Sequence, residues 1–177
     1  MADAHQLYEG GIQVERHVTV QKAPQTLFQF WRNFENLPQF MRHLYAVTMT
    51  DDKRSHWVAE GPAGSRVEWD AQIINEQDNE LISWESIGGS PLQHAGSVRF
   101  RPLSGGRSTD VAVTLRYWPP AGRVGASVSK LLGQDPSNQI AEDLHRFKQL
   151  METGSAPEDR DASGDNWPSI SPTPDVT

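Results

Sequence analysis

The sequence predicts an α+β fold: one antiparallel sheet of seven strands, two short helices after the first strand, and a long C-terminal helix laid over one face. Three observations lead there. From Leu44 to Trp118 apolar and polar side chains alternate in short runs separated by turn residues, the period of half-buried strands. On either side the period is helical, with Leu27, Phe28, Trp31 and Phe34 before this stretch and Val124, Val128, Leu131, Leu132, Ile140, Leu144, Phe147 and Met151 after it. A sheet with one apolar face needs a cover, and segment 121–153 is the one stretch long enough to supply it.

The first strand is VERHVTV at 14–20, with Val14, Val18 and Val20 on one face. Ala23-Pro24 places proline at a first helical position, which opens a short amphipathic helix. Asn36-Leu37-Pro38 is expected to interrupt it, and Phe40, Met41 and Leu44 suggest a second short turn or helix. The strands LYAVTMT, SHWVAE, RVEWDAQII, ELISWES, SVRFR and TDVAVTLRYW follow, parted by turns at Asp51 to Lys53, Asn75 to Asn79, Gly88 to Pro91 and Ser104 to Arg107. In the last helix Gly133 to Pro136 should form a bend, with Asp135 or Ser137 as a cap, and Gly154 the stop.

Residues opposite one another in an antiparallel hairpin have numbers of constant sum and share a face. A Gly105-Gly106 turn pairs Phe100 with Val111 and Val98 with Val113, so both apolar sets coincide. The hairpin before it pairs Ile73 with Ile82 and Ala71 with Trp84, placing Val67, Trp69, Ala71 and Ile73 inward and Arg66, Glu68, Asp70 and Gln72 outward. Around Asp52 the same arithmetic leaves Tyr45, Val47 and Met49 competing with Leu44, Ala46 and Trp57 for the inner face, and no facing is assigned.

The composition excludes several classes of function. A chain of 177 residues with 36% hydrophobic and 22% charged residues is globular, and it has no apolar run long enough to span a bilayer. That leaves room only for transient membrane association. The first eleven residues carry no secretory pattern, so the cytoplasm is the expected location. With no cysteine there are no disulfides, thiolate metal sites or cysteine nucleophiles. A net charge of -7 with no basic stripe argues against nucleic acid as a partner. The expected organisation is an extension at 1–11, one domain at 12–153, and an acidic, Pro/Ser-rich tail at 154–177 expected to be disordered.

The stretches FWRNFENLPQFM at 30–41, Trp57, GSRVEWDAQI at 64–73, ISWES at 82–86, GSVRF at 96–100 and DLHRFKQLME at 143–152 carry, as a set, a family likeness. Together they resemble the polyketide cyclase/dehydrase or coenzyme-Q-binding START-like proteins, a bacterial branch of the START (SRPBCC) superfamily. The resemblance implies a helix-grip fold, in which a strongly curved sheet wraps the C-terminal helix. It also implies a cavity between the two, suited to lipids, polyketides, hormones or quinones. It implies no single chemistry, because that fold serves cyclases and hydrolases as well as plain carriers.

Within such a cavity the inner-face aromatics Trp69, Trp84 and Tyr117 are the first candidates for ligand contact, since rigid aromatic walls suit an apolar ligand. Taken singly each is an ordinary core residue; as a set they favour a hollow. Phe100, Val113, Leu144 and Phe147 complete the expected ligand-binding set, whereas Trp31 and Phe28 read as core alone. The six histidines show no metal-ligand spacing, so no metal is expected. His94 stands beside a turn and reads as solvated, and His145 as exposed. Glu68 and Asp70 share the wet face, where a charged surface is the plain reading, and Glu142 with Arg146 forms an i,i+4 pair on an exposed helix face. Nucleophile elbows, phosphate loops and dinucleotide fingerprints are missing, so no cofactor is expected. The leading expectation is a non-catalytic binder or carrier of a hydrophobic small molecule, with entrance between the helix bend and the loops at 61–64 and 88–94. The alternative is a cyclase or dehydratase, with Tyr117 or His94 as proton donor.

Overall fold

The computed structural model describes residues 12–90, 93–103, 105–118 and 136–155. The first strand is β1 (Ile12–Val20), followed by α1 (Pro24–Arg32) and a 3-10 helix (Phe34–Gln39). Six strands come next: β2 (Leu44–Met49), β3 (Arg54–Glu60), β4 (Arg66–Gln77), β5 (Leu81–Ser86), β6 (Gln93–Pro102) and β7 (Thr109–Trp118). The last described element is α2 (Pro136–Thr153). All seven strands form one antiparallel sheet in the order β1-β7-β6-β5-β4-β3-β2, so α1 and the 3-10 helix carry the chain from one edge to the other.

Proline at the start of α1 loses no backbone bond there, and Leu27, Phe28 and Trp31 bury the inner stripe of the helix. The interruption comes earlier than Asn36 to Pro38. Asn33 turns extended, its Oδ1 accepts from the Glu35 backbone N–H, and the next turn restarts as the 3-10 helix, which contains Pro38. A short polar side chain that caps the following turn competes with continuation of the helix.

Strand register confirms the glycine hairpin: Phe100 pairs with Val111 and Val98 with Val113. Both glycines at its tip have positive φ, 84° at Gly105 and 66° at Gly106, a conformation that a side chain would resist. The preceding hairpin is shifted. β4 runs on to Gln77, and a bulge leaves Ile74 unpaired, so Ile73 pairs with Trp84 instead of Ile82 and Ala71 with Ser86 instead of Trp84. A two-residue shift preserves the face, so Trp69, Ala71, Ile73 and Trp84 all remain buried. A second bulge at Tyr45 resolves the facing around Asp52, since skipping one residue lets Leu44 and Val47 both point inward. Tyr45 itself turns out, under the guanidinium of Arg66.

α2 lies along β1, held by Lys148 Nζ on the Thr19 carbonyl, Glu152 on the Gln21 backbone N–H, and Arg16 on Ser137. Ser137 is thus inside the helix and bonded across to β1. Gly154 ends the helix at φ 82°, donating its N–H to the Leu150 carbonyl. The expected helical stretch before Pro136, with its bend, and both expected terminal segments up to Gly11 and from Ala156 lie outside the described residues. Under α1 the core is aromatic: Trp31, Phe40 and Phe147 meet with ring centroids 5.0 to 5.1 Å apart, and Phe100 packs against Phe28 and Trp31.

Candidate ligand cavity

Between the inner face of the sheet and α2 lies an open cavity of about 90 Å³. A single water needs roughly 10–15 Å³, so the space is several times what one solvent molecule would fill. Its walls are mostly apolar: Trp57, Trp69 and Trp84 from β3 to β5, Val113, Leu115 and Tyr117 from β7, and Ile140 and Leu144 from α2. Exposed Glu60 and Arg116, with Pro136 and Gln139 of α2, mark the rim.

Local register sets this wall. Trp57 and Trp69 are direct partners across β3 and β4, and their rings stack 5.8 Å apart with 24° between planes. Trp57 donates its Nε1–H to Ser55, itself buried. Trp84 pairs with Gly96, where a Cβ would sit 2.3 Å from the indole; the absence of that atom lets the ring lie flat over β6.

Of the seven residues expected to contact a ligand, Trp69, Trp84, Val113, Tyr117 and Leu144 line the cavity. Phe100 and Phe147 are buried on the same side but belong to the aromatic core under α1, one layer behind the lining, where both pack on Trp31 and Phe147 also on Phe40. Trp31, expected in the core alone, is fully buried and also reaches the lining. His94 corrects a second expectation. It belongs to β6, pairs with Tyr117, and packs edge-on against Trp69 at 5.3 Å, so it is not a solvated turn residue. Burial drives its pKa down to about 4, leaving it neutral at pH 7.

Sequence reasoning missed a polar group at the lining. Asp143 of α2 is buried beside Arg146, whose guanidinium bonds its Oδ1 and donates Nε–H to the Phe40 carbonyl. Arg146 is therefore inside and not on an exposed face with Glu142. Burial raises Asp143 to about 6 in spite of Arg146 and a bond from the Arg42 backbone. His43 stands 3.6 Å from Asp143, beyond hydrogen-bond reach, and burial followed by the Arg146 charge pushes it down to about 4. On the outer face His56 sits between Glu68 and Asp70, all solvated. Among the described residues no set of three side chains is arranged to hold a metal.

Four buried side-chain nitrogens have no partner among the described residues: Trp31 Nε1, His43 Nδ1, Trp69 Nε1 and His94 Nε2. All four residues line the cavity.

A family model described as polyketide cyclase/dehydrase and lipid transport matches residues 20–145. The chain belongs to this family. The chain is also similar to an uncharacterized 17.2 kDa protein from the melC2-rnhH intergenic region of Streptomyces lincolnensis. It is 32% identical over 139 residues, covering 78% of this chain and 89% of the relative. A crystal structure from Deinococcus radiodurans is similar at 36% identity and a TM-score of 0.65, over 81% of this chain and 99% of that one. The Zhui aromatase/cyclase of a Streptomyces species shares the fold at 11% identity, with a TM-score of 0.63 over 83% and 99% of the two chains. The helix-grip arrangement expected from resemblance is thus the observed one. The match is to the family and does not reach the coenzyme-Q-binding branch.

Proposed function

We propose that the protein binds and carries a hydrophobic small molecule, of lipid, quinone or polyketide type, in the cavity between sheet and α2. The observation that carries this reading is a cavity walled by Trp57, Trp69 and Trp84 that the described side chains leave unfilled. Empty apolar space sacrifices packing, and a folded chain keeps it at a cost in stability unless something occupies it. Apolar burial at roughly 25 cal/mol per Å² supplies the affinity, and shape supplies the selectivity.

A cyclase or dehydratase in the same cavity is the second reading. It is favoured by the neutral His94 next to Tyr117, and by the fold shared with the Zhui aromatase/cyclase. The carrier reading is preferred because the described lining holds no serine, threonine or lysine, and of its two carboxylates Glu60 stands at the exposed rim while Asp143 is bonded to Arg146.

The test is titration of the purified full chain with N-phenyl-1-naphthylamine, a neutral fluorophore that brightens in apolar surroundings. Saturable binding at one site is expected, with loss of that binding in Leu115→Trp, which fills the cavity from a half-buried position. A folded Leu115→Trp variant that binds as well as the parent would refute the site.

A further inference from the structure

His94 is the second residue of β6, and its ring is wedged against two tryptophans of the cavity wall, edge-on to Trp69 at 5.3 Å and to Trp57 at 6.3 Å. Its Nε2 is buried without a partner, and burial is the one cause that holds its pKa at about 4. The elements packed around it bring neutral groups to the ring. β3 and β4 offer Trp57 and Trp69, β7 offers its register partner Tyr117, and β5 offers Ser86, whose Oγ accepts the His94 backbone N–H. The charged groups nearby are engaged elsewhere: Glu85 of β5 accepts from Gln72, Arg116 of β7 bonds Gln13, and Asp143 of α2 bonds Arg146. Glu60 of β3 stands at the exposed rim. A proton on His94 would therefore create a buried cation with no counter-ion.

We infer that His94 is an acid-sensitive fastener of the cavity: a proton on its ring drives the start of β6 away from Trp57 and Trp69 and lets a bound guest leave. The inference rests on the binding reading above and adds its regulation. A charged imidazole must find water, and the path is short, because β6 begins one residue earlier at Gln93 and strand ends open far more readily than strand centres. Packed in the wall the ring takes a proton near 4; hydrated, it takes one near 6.5. Opening is therefore favoured as pH falls through 6.5 toward 4, by about twentyfold between pH 7 and pH 5. His43 and Asp143, 3.6 Å apart, belong to the β2 edge and to α2 and stay buried when only the start of β6 moves.

For the experiment the full chain is loaded with N-phenyl-1-naphthylamine, and release is followed by stopped-flow fluorescence at pH 7 and pH 5. Release about twentyfold faster at pH 5 is expected, against nearly equal rates in His94→Phe, which keeps an aromatic ring and cannot titrate. Ser86→Ala loosens the same strand end without touching the titration, so it should speed release at both pH values and preserve their ratio. Amide exchange locates the opening: relative to Val98 to Arg101, the amides of Gln93 to Gly96 should lose protection at pH 5. Equal release at the two pH values, an acceleration that survives in His94→Phe, or exchange that rises alike along β6 overturns this inference and leaves the cavity reading standing. Should His94→Phe fail to fold, release and exchange in the parent chain still decide. A chain that binds no fluorophore at pH 7 overturns the binding reading and this inference with it.

Discussion

His94 on β6 and Tyr117 on β7 are direct register partners, and both line the same cavity. Opposite residues of an antiparallel pair share a face, so an imidazole and a phenol meet at the pocket by backbone pairing alone. If the protein is a carrier, Tyr117→Phe should leave a bound compound unchanged in mass and weaken its binding by at most about tenfold, the scale of one net hydrogen bond. Mass spectrometry of the extracted compound and calorimetry check this. Turnover that disappears in Tyr117→Phe would instead establish the cyclase reading.

Gly96 is where the sheet makes room for the cavity wall. A Cβ there would lie 2.3 and 2.5 Å from Trp84 ring atoms and 2.8 Å from Leu115 Cδ2. Gly96→Ala should therefore displace Trp84, cost about 1–3 kcal/mol as overpacking does, and weaken fluorophore binding. Urea unfolding and the fluorophore titration measure the two effects.

Arg146 neutralises Asp143 and ties α2 to the loop at Phe40. Removing one partner of a buried pair leaves an uncompensated charge, so Arg146→Met should destabilise by about 3–5 kcal/mol at pH 7. The double variant Arg146→Met with Asp143→Leu should recover most of that loss, because the orphaned carboxylate goes with it. Chemical denaturation of the three proteins decides.

Acid stability follows from the buried histidines. His94 titrates near 4 in the folded chain, depressed from 6.5, so between those values the unfolded chain holds a proton that the folded chain refuses. Its contribution is fully present above pH 6.5 and is lost as pH falls toward 4, on the order of 3 kcal/mol. His43 acts in the same direction. Asp143, raised from 3.8 to about 6, acts oppositely: the folded state holds the extra proton, and acidification through that window stabilises. His94→Leu should accordingly show a shallower loss of unfolding free energy than the parent between pH 6.5 and 4, measured by urea titration at each pH.

The facing of most strands was legible because a period of two needs only local residues, and the glycine hairpin fixed its own register. Bulges were not legible. Tyr45 and Ile74 are ordinary strand residues whose exclusion from pairing depends on the curvature of the whole sheet. Alternation also identifies a face without giving position along it. Phe100 and Phe147 point inward as expected yet lie under α1, while Trp57, hidden by the Tyr45 bulge, belongs to the wall. His94 was obscured by the Gly-Gly-Ser-Pro run before it, which reads as a loop, although β6 has already begun at Gln93. Asp143 and Arg146 were missed because an i,i+3 charged pair on a helix ordinarily faces water.

Native mass spectrometry of the protein purified from its own host tests the central claim most directly. The carrier account requires a hydrophobic compound bound near one per chain, released intact on extraction, and absent from the Leu115→Trp variant. A preparation that is uniformly ligand-free, or one in which Leu115→Trp retains the same compound, would contradict it.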